Sequence, residues 1–205
     1  MTLDVKKLQQ RLGVSADGTL GRDTLAALFL KAGASATIAP ELGLAANVHF
    51  RTYGVVENGL RLAHFMAQCA HESGGFKYNR EIWGPTAAQK KYEMNAGLGN
   101  DQPGDGLRYL GRGPGQLTGR ANYRLYGRKL GVDFESNPEL LEIWSLGLLA
   151  FCAYWDTCSL NGWADQDNLR AVSNGINRGS PTSTKDPNGW DDRQARYAKM
   201  KALIL

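Results

Sequence analysis

The hexapeptide His71-Glu72-Ser73-Gly74-Gly75-Phe76 closes an apolar helical pattern, and a second glutamate, Glu81, follows nine positions after Glu72. Two carboxylates in such a setting can cleave a glycosidic bond. One, still protonated, donates to the leaving oxygen, while the other, better solvated, activates water or stabilises charge. In the segment from Gly59 to Ala70, Leu62, Phe65, Met66 and Cys69 recur at three- and four-residue steps, which predicts a helix with one face in the core. Gly74 and Gly75 end it. Glu72 then projects from the last turn of a buried helix, where unpaired carbonyls and poor solvation favour a carboxyl that keeps its proton. Glu81, in the loop beyond the glycines, is its natural partner.

A second stretch with chemical content runs from Tyr109 to Tyr123. Gly111, Gly113, Pro114 and Gly115 make a shaped loop, and Gln116, Thr118 and Asn122 then offer neutral hydrogen-bonding groups suited to the hydroxyls and acetamides of a sugar. No Gly-Lys-Ser/Thr ends the loop, so it is no phosphate cradle of the Walker type. Thr118 also has the type and position of a cap for the helix that follows it. His71 stands beside Glu72, but the segment lacks the second histidine of His-Glu-x-x-His, and only His49 and His64 remain as further histidines. A structural role is expected for them, and no metal or cofactor is required. Among the aromatics, Trp144, Tyr154 and Trp155 read as core; Trp83, Tyr92, Trp163 and Trp190 lie in less periodic stretches where a ring can stack on a sugar.

These residues need a scaffold, and 205 residues with 42% hydrophobic content can bury one sizeable core with a small appended module. The longest nearly unbroken apolar run, Leu146 to Trp155, is too short to span a bilayer, and the first residues carry no apolar signal core, so neither stable membrane insertion nor an export address is expected. Cys69, Cys152 and Cys158 are an odd number in largely apolar contexts, which suits reduced thiols made in a cytosol. The net charge of +4 favours contact with an anionic polymer, whether wall glycan, lipopolysaccharide or nucleic acid, without choosing among them.

Residues 1–33 read as a compact helical hairpin: a helix through Leu3 to Leu12, a turn at Ala16-Asp17-Gly18, and a second helix from Gly21 through Leu25, Leu28 and Phe29. From residue 36 to 205 the chain reads as mainly α. Helices are predicted near Pro40–Phe50, across Gly59–Ala70, from Thr118 to Gly131, near Gln166–Ile176 and from Trp190 to Leu203. Asn137-Pro138-Glu139 carries three start signals and predicts the opening of a long central helix through Leu140, Leu141, Trp144, Leu148, Phe151, Cys152 and Trp155. Strand signals are weak, apart from a short hairpin near Arg108-Tyr109-Leu110.

Two resemblances follow from these residues. Leu8, Gln9, Leu12 and Gly13, then Asp17, Gly18, Gly21 and Thr24, resemble about half of the repeat of bacterial peptidoglycan-binding domains. The rest is similar to the family 19 glycoside hydrolases, the plant-chitinase type, and within them to bacteriophage endolysins. The matching blocks are Ala67 to Phe76, Gly111 to Thr118, Ser136-Asn137-Pro138 and Val172 to Asn177, in family order. The resemblance implies a lysozyme-like helical domain with a cleft between two lobes, and inverting hydrolysis of β-1,4 bonds beside N-acetylglucosamine. It implies Glu72 as general acid, Thr118 as the hydroxyl that positions water, and Gln116, Asn122, Asn177 and Arg193 as substrate contacts. For the base, plant enzymes point to the neighbourhood of Glu93 and phage-type members to Glu81, which is favoured. Inversion requires the two carboxyls to stand on the order of 6.5 to 9.5 Å apart. The expected function is that of a monomeric endolysin cutting the glycan strands of peptidoglycan, held in the host cytoplasm until the membrane opens and then acting in the periplasm. A chitinase, a wall-binding protein without catalysis and a zinc amidase are the alternatives.

Overall fold

The computed structural model describes residues 2–205, and it is mainly helical. Helix α1 (Val5–Leu12) starts on Asp4, whose carboxylate accepts the Lys7 N–H, and stops at Gly13 in the left-handed region. Helix α2 (Arg22–Ala32) follows. Between them the buried Gln9 side chain donates to Asp17, the Thr19 carbonyl and Thr24, and accepts the Gly18 N–H. The residues that resemble a wall-binding repeat are thus engaged in holding their own turn. The apolar side of the hairpin is built into the main core: Phe29 meets Phe50 at 6.1 Å and Phe76 at 5.3 Å between ring centroids.

Helix α3 (Ala39–Thr52) lies against α2 over Gly43, where a Cβ would come within 2.5 Å of the Arg22 carbonyl. Helix α4 (Gly59–Glu72) begins at Asn58, whose side chain accepts the Leu60 and Arg61 N–H groups. It runs antiparallel to the last helix, α11 (Trp190–Ile204): Gly59 faces Leu205, the His64 ring stacks on Tyr197 at 4.0 Å, and Glu72 pairs with Arg193. Short helices α5 (Ala87–Lys90) and α6 (Asp105–Arg108) punctuate the long excursion between α4 and α7 (Arg120–Leu130).

The central helix, α8 (Trp144–Thr157), is shared by two cores. Leu148, Phe151, Cys152 and Trp155 face the main one; Ala150 and Ala153 face a smaller one built from Tyr109, Tyr123, Tyr126, Phe134 and Leu141. This helix is shorter than expected. Pro138–Glu142 forms a separate 3-10 turn, Ile143 is extended, and the Asn137 amide donates to the Asp133 carbonyl instead of capping. The physical reason is a reversal that presses the Leu141 carbonyl onto Gly147, where a Cβ would sit 2.7 Å away. Glu41 of α3 accepts the Ser145 N–H and so serves the new helix start. The expected hairpin lies a few residues later than Arg108–Leu110, as isolated antiparallel bridges of Arg112 with Leu117 and with Arg80. The helical stretch after α8 is divided in two, α9 (Leu160–Asp165) and α10 (Leu169–Arg178), the latter capped by Asn168. Among the described residues no helix is long and apolar enough to cross a membrane.

Two expectations follow. Deleting residues 1–33 removes Leu25, Leu28 and Phe29 from the main core, and should abolish cooperative unfolding rather than yield a folded fragment; a sharp thermal transition in the truncated chain would contradict this. His64 is buried, and burial pushes its pKa down to about 4 from 6.5, against the opposing pull of Asp167. Below pH 6.5 the unfolded chain takes up a proton that the folded one refuses until about pH 4. Stability should therefore fall across that window, by up to about 3 kcal/mol. Urea unfolding at pH 7 and pH 4.5 checks it: the loss should be smaller in His64→Phe, and an equal loss in both proteins would count against it.

Candidate active site

Helix α4 ends where three residues in succession take positive φ: Gly74 (60°), Gly75 (76°) and Phe76 (61°). Only glycine adopts this region freely, so Phe76 needs compensation. It obtains it from burial beside Phe29 and Trp144 and from a Ser73 hydroxyl that accepts its N–H at 2.8 Å while donating to the Cys69 carbonyl at 2.6 Å. This turn leaves Glu72 at the helix end, facing a cleft of about 780 Å³. Its Oε1 accepts Nη2 of Arg193 at 2.5 Å. Arg193 is 1% exposed. Its Nε donates to the Asn188 carbonyl at 2.9 Å and Nη1 to Gln68, whose amide in turn donates to the Ser173 hydroxyl at 3.0 Å. Arg193 therefore addresses Glu72 from the protein interior rather than presenting its guanidinium to a substrate.

Glu81 lines the same cleft. Its backbone N–H donates to the Gly111 carbonyl at 2.8 Å, and its Oε2 accepts the Gly111 N–H at 3.2 Å. Oε1 accepts from the Gln89 amide at 3.0 Å and the Tyr92 hydroxyl at 3.5 Å. Burial, and then the charge of Glu81, raise the pKa of Tyr92, which keeps the phenol a donor. Gln89 is itself fixed by a capping box with Thr86 at the start of α5 and by the Gly84 N–H. Glu93 is elsewhere: its carboxylate accepts the Gly104 and Gly106 N–H groups at 2.6 and 2.9 Å, and it does not line the cleft.

The glycine-rich loop supplies the next wall. Gly115 lies so close to α8 that a Cβ would stand 2.1 Å from the Phe151 ring, and one on Gly111 would meet the Gln116 side chain at 2.7 Å. Buried Arg112 ties the loop down through Glu142 at 2.7 Å and the Tyr123 hydroxyl at 2.9 Å. Gln116 (φ 51°), Thr118 and Asn122 line the cleft, joined by Thr118 Oγ1 donating to the Gln116 carbonyl and Asn122 Nδ2 to the Thr118 carbonyl, both at 2.8 Å. Thr118 does not cap α7, which starts at Gly119 without a side-chain bond. From the far side Asn177 of α10 reaches the cleft, its Oδ1 accepting the Asn188 N–H at 3.0 Å.

The structure thus brings Glu72, Glu81, Gln116, Thr118, Asn122 and Asn177 around one cavity, with Arg193 behind the first. His71 is held by Asp192, 2.6 Å from its Nδ1. Among the described residues no group of three or more His, Cys, Asp or Glu side chains is placed to hold a metal ion. Sequence reasoning missed Gln68 and Gln89, although Thr86-x-x-Gln89 carried the spacing of a capping box.

A helical domain with two carboxylates and several neutral amides lining one cleft suits a glycoside hydrolase. The model of the family described as chitinase class I matches residues 44–158, and the chain belongs to glycoside hydrolase family 19. A family 19 domain-containing protein of Haemophilus influenzae is 30% identical over 175 residues, 72% of this chain and 80% of that one. An endochitinase of Arabidopsis thaliana is also 30% identical, over 78% of this chain but only half of its own length. In fold the chain is similar to chitinase C of Streptomyces griseus, with a TM-score of 0.67 at 20% identity over 91% of this chain and 94% of that one.

Replacing Gln89 by Leu removes a charged hydrogen bond from Glu81 and should lower kcat on a glycan substrate about tenfold. KM should stay within about twofold, because Gln89 is absent from the cleft lining. Unchanged kcat in a folded variant would show that Glu81 does not depend on this support.

Proposed function

We propose that this family 19 hydrolase is a peptidoglycan glycosidase of the endolysin type, cutting a β-1,4 bond of the glycan strand with Glu72 as acid and Glu81 as base. The observation that carries this reading is the pairing of the cleft carboxylates. Glu81, at the phage-type spacing from Glu72, faces the cavity, whereas Glu93 is consumed by two backbone N–H groups. Glu72, the ion-pair partner of Arg193 at rest, takes up a proton before turnover and gives it to the leaving glycosidic oxygen as that bond breaks. Glu81 takes a proton from a water oriented by the Thr118 hydroxyl, and the resulting oxygen attacks the anomeric carbon from the opposite face. The guanidinium of Arg193, 2.5 Å from Glu72, stands where negative charge resides once the proton has left. Amides of Gln116, Asn122 and Asn177 suit the acetamido groups of the sugars.

The net charge of +4 suits an anionic wall polymer, and the free thiols Cys69, Cys152 and Cys158 suit synthesis in a reducing compartment before access to the wall. In this role the enzyme works as a monomer, waits in the host cytoplasm and reaches the wall once the membrane opens. Hydrolysis of chitin is the second reading, supported by the endochitinases of Arabidopsis thaliana and Gossypium hirsutum among its relatives.

Digestion of purified sacculi and of chitin, with products identified after borohydride reduction and mass spectrometry, separates the two readings. New reducing ends from sacculi are expected, and their appearance from chitin alone would transfer the assignment. Glu72→Gln should abolish turnover in a folded protein, because the amide has no acidic proton to give. Glu81→Gln should cost on the order of a hundredfold or more, and Glu93→Gln should stay near wild type. A dead Glu93 variant beside an active Glu81 variant would move the base role.

A further inference from the structure

We infer that Arg178 is the residue by which this cleft tells an anionic glycan from a neutral one, receiving a carboxylate of the lactyl-peptide substituent on N-acetylmuramic acid. This rests on the peptidoglycan reading above and names the recognition chemistry within it.

Arg178 is the last residue of α10, next to Asn177, exposed, and the only cation among the described residues that line the cleft. The other charged residues of that lining are the two acids, Glu72 and Glu81, and their needs are already met. Glu72 is paired with Arg193, and Glu81 is held by Gln89, Tyr92 and the Gly111 N–H. Arg178 is anchored without being neutralised. Its Nη2 donates to the Asp186 backbone carbonyl at 2.6 Å, while the Asp186 carboxylate is spent on Arg170. Among the described residues no acidic side chain forms an ion pair with Arg178. The guanidinium is therefore steadied at one nitrogen, with its remaining N–H groups free to take a carboxylate in the forked geometry that suits this pair. Space for a substituent lies beside it. Gly179, also in the lining, turns the chain with φ 67°, and a Cβ there would meet nothing within 4 Å.

The two candidate polymers differ at this point of chemistry. Chitin bears no charge on any N-acetylated sugar. Peptidoglycan carries a lactyl ether on alternate sugars, ending either in its own carboxylate or, through an amide, in a peptide with free carboxylates. A cation with no acidic partner at the rim gains only bonds to neutral acceptors from the first polymer and gains an ion pair from the second.

The test uses soluble, uncrosslinked peptidoglycan fragments and the same fragments after amidation of their carboxylates with methylamine, so that glycan and bond cut are identical. Wild type is expected to show a kcat/KM about tenfold higher on the free-acid fragments. Arg178→Ala should bring that ratio close to one, and Arg178→Lys should restore part of it, since charge returns without the fork. Salt should erode the preference of wild type and leave the ratio of the Ala variant where it is. Glycan strands stripped of peptide by an amidase form a further arm: a preference retained there assigns the lactyl carboxylate, and one lost there assigns the stem peptide. If Arg178 only pins the loop through Asp186, Arg178→Ala lowers turnover of both fragments alike and keeps the ratio, which overturns the inference. Equal wild-type rates on free and amidated fragments overturn it as well, with the peptidoglycan assignment intact. Cleavage of chito-oligosaccharides but of neither fragment removes the reading on which it rests.

Discussion

A guanidinium taken almost wholly out of water must have a counter-charge and partners for its N–H groups, and much of this structure is arranged around that demand at Arg193. The counter-charge is Glu72 and the other acceptors are Gln68 and the Asn188 carbonyl, so one residue of α11 is tied to two turns of α4 and to the loop that precedes its own helix. The antiparallel register of the two helices is set along its whole length by this pair, the His71–Asp192 contact beside it, the His64–Tyr197 stack in the middle and the fit of Leu205 over Gly59 at the far end. The consequence for function is that the acid is positioned by core packing. Removing Glu72 would leave Arg193 buried and uncompensated, which couples Glu72 to the integrity of the α4–α11 contact.

Glu81 is held on a different principle. Its supports are Gln89, Tyr92 and the backbone of Gly111, all outside the principal helices, and each is secured by local bonds such as the Thr86–Gln89 box. The glycine-rich loop lines the same cleft, and its approach to α8 is permitted only because Gly113 faces Gly147 and Gly115 faces Phe151 without side chains of their own. Close packing thus holds the glycine-rich loop, an ion pair to an interior arginine holds Glu72, and hydrogen bonds from neutral donors hold Glu81. A hydrogen bond from a neutral donor costs less to break than an ion pair with an arginine in the interior, so Glu81 is the more readily displaced of the two carboxylates.

Much of this was legible in the residues. The 3.6 periodicity of Leu62, Phe65, Met66 and Cys69 is a local signal that tertiary packing had no reason to override, whereas the start expected near Gln166 falls after the Asn168 cap. The extent of the central helix was not legible, because Asn137-Pro138-Glu139 opens a 3-10 turn equally well. What decides between the two is the Leu141–Gly147 reversal, a contact between segments on either side of the break. Thr118 has the residue type of a cap, but its hydroxyl bonds the Gln116 carbonyl within a loop whose shape depends on α8. The fate of Arg193 was hidden more deeply. In Asp-Asp-Arg-Gln-Ala-Arg it is indistinguishable by type from Arg196, and only a partner 121 residues away makes one of them interior.

Arg178 and Arg193 show how one arginine-rich end of the chain divides its labour. Arg193 spends its charge inside on Glu72, whereas Arg178, fifteen positions earlier, gives one bond to a carbonyl and retains its charge at the rim. Both lie beyond Cys158, where the family match ends, while Glu72, Glu81, Gln116, Thr118 and Asn122 lie within it. The charge behind Glu72 thus comes from outside the span that the family model matches. The rim is under no such obligation. A residue there touches neither carboxylate, so it can change with the polymer to be cut while the machinery that breaks the bond is left as it is.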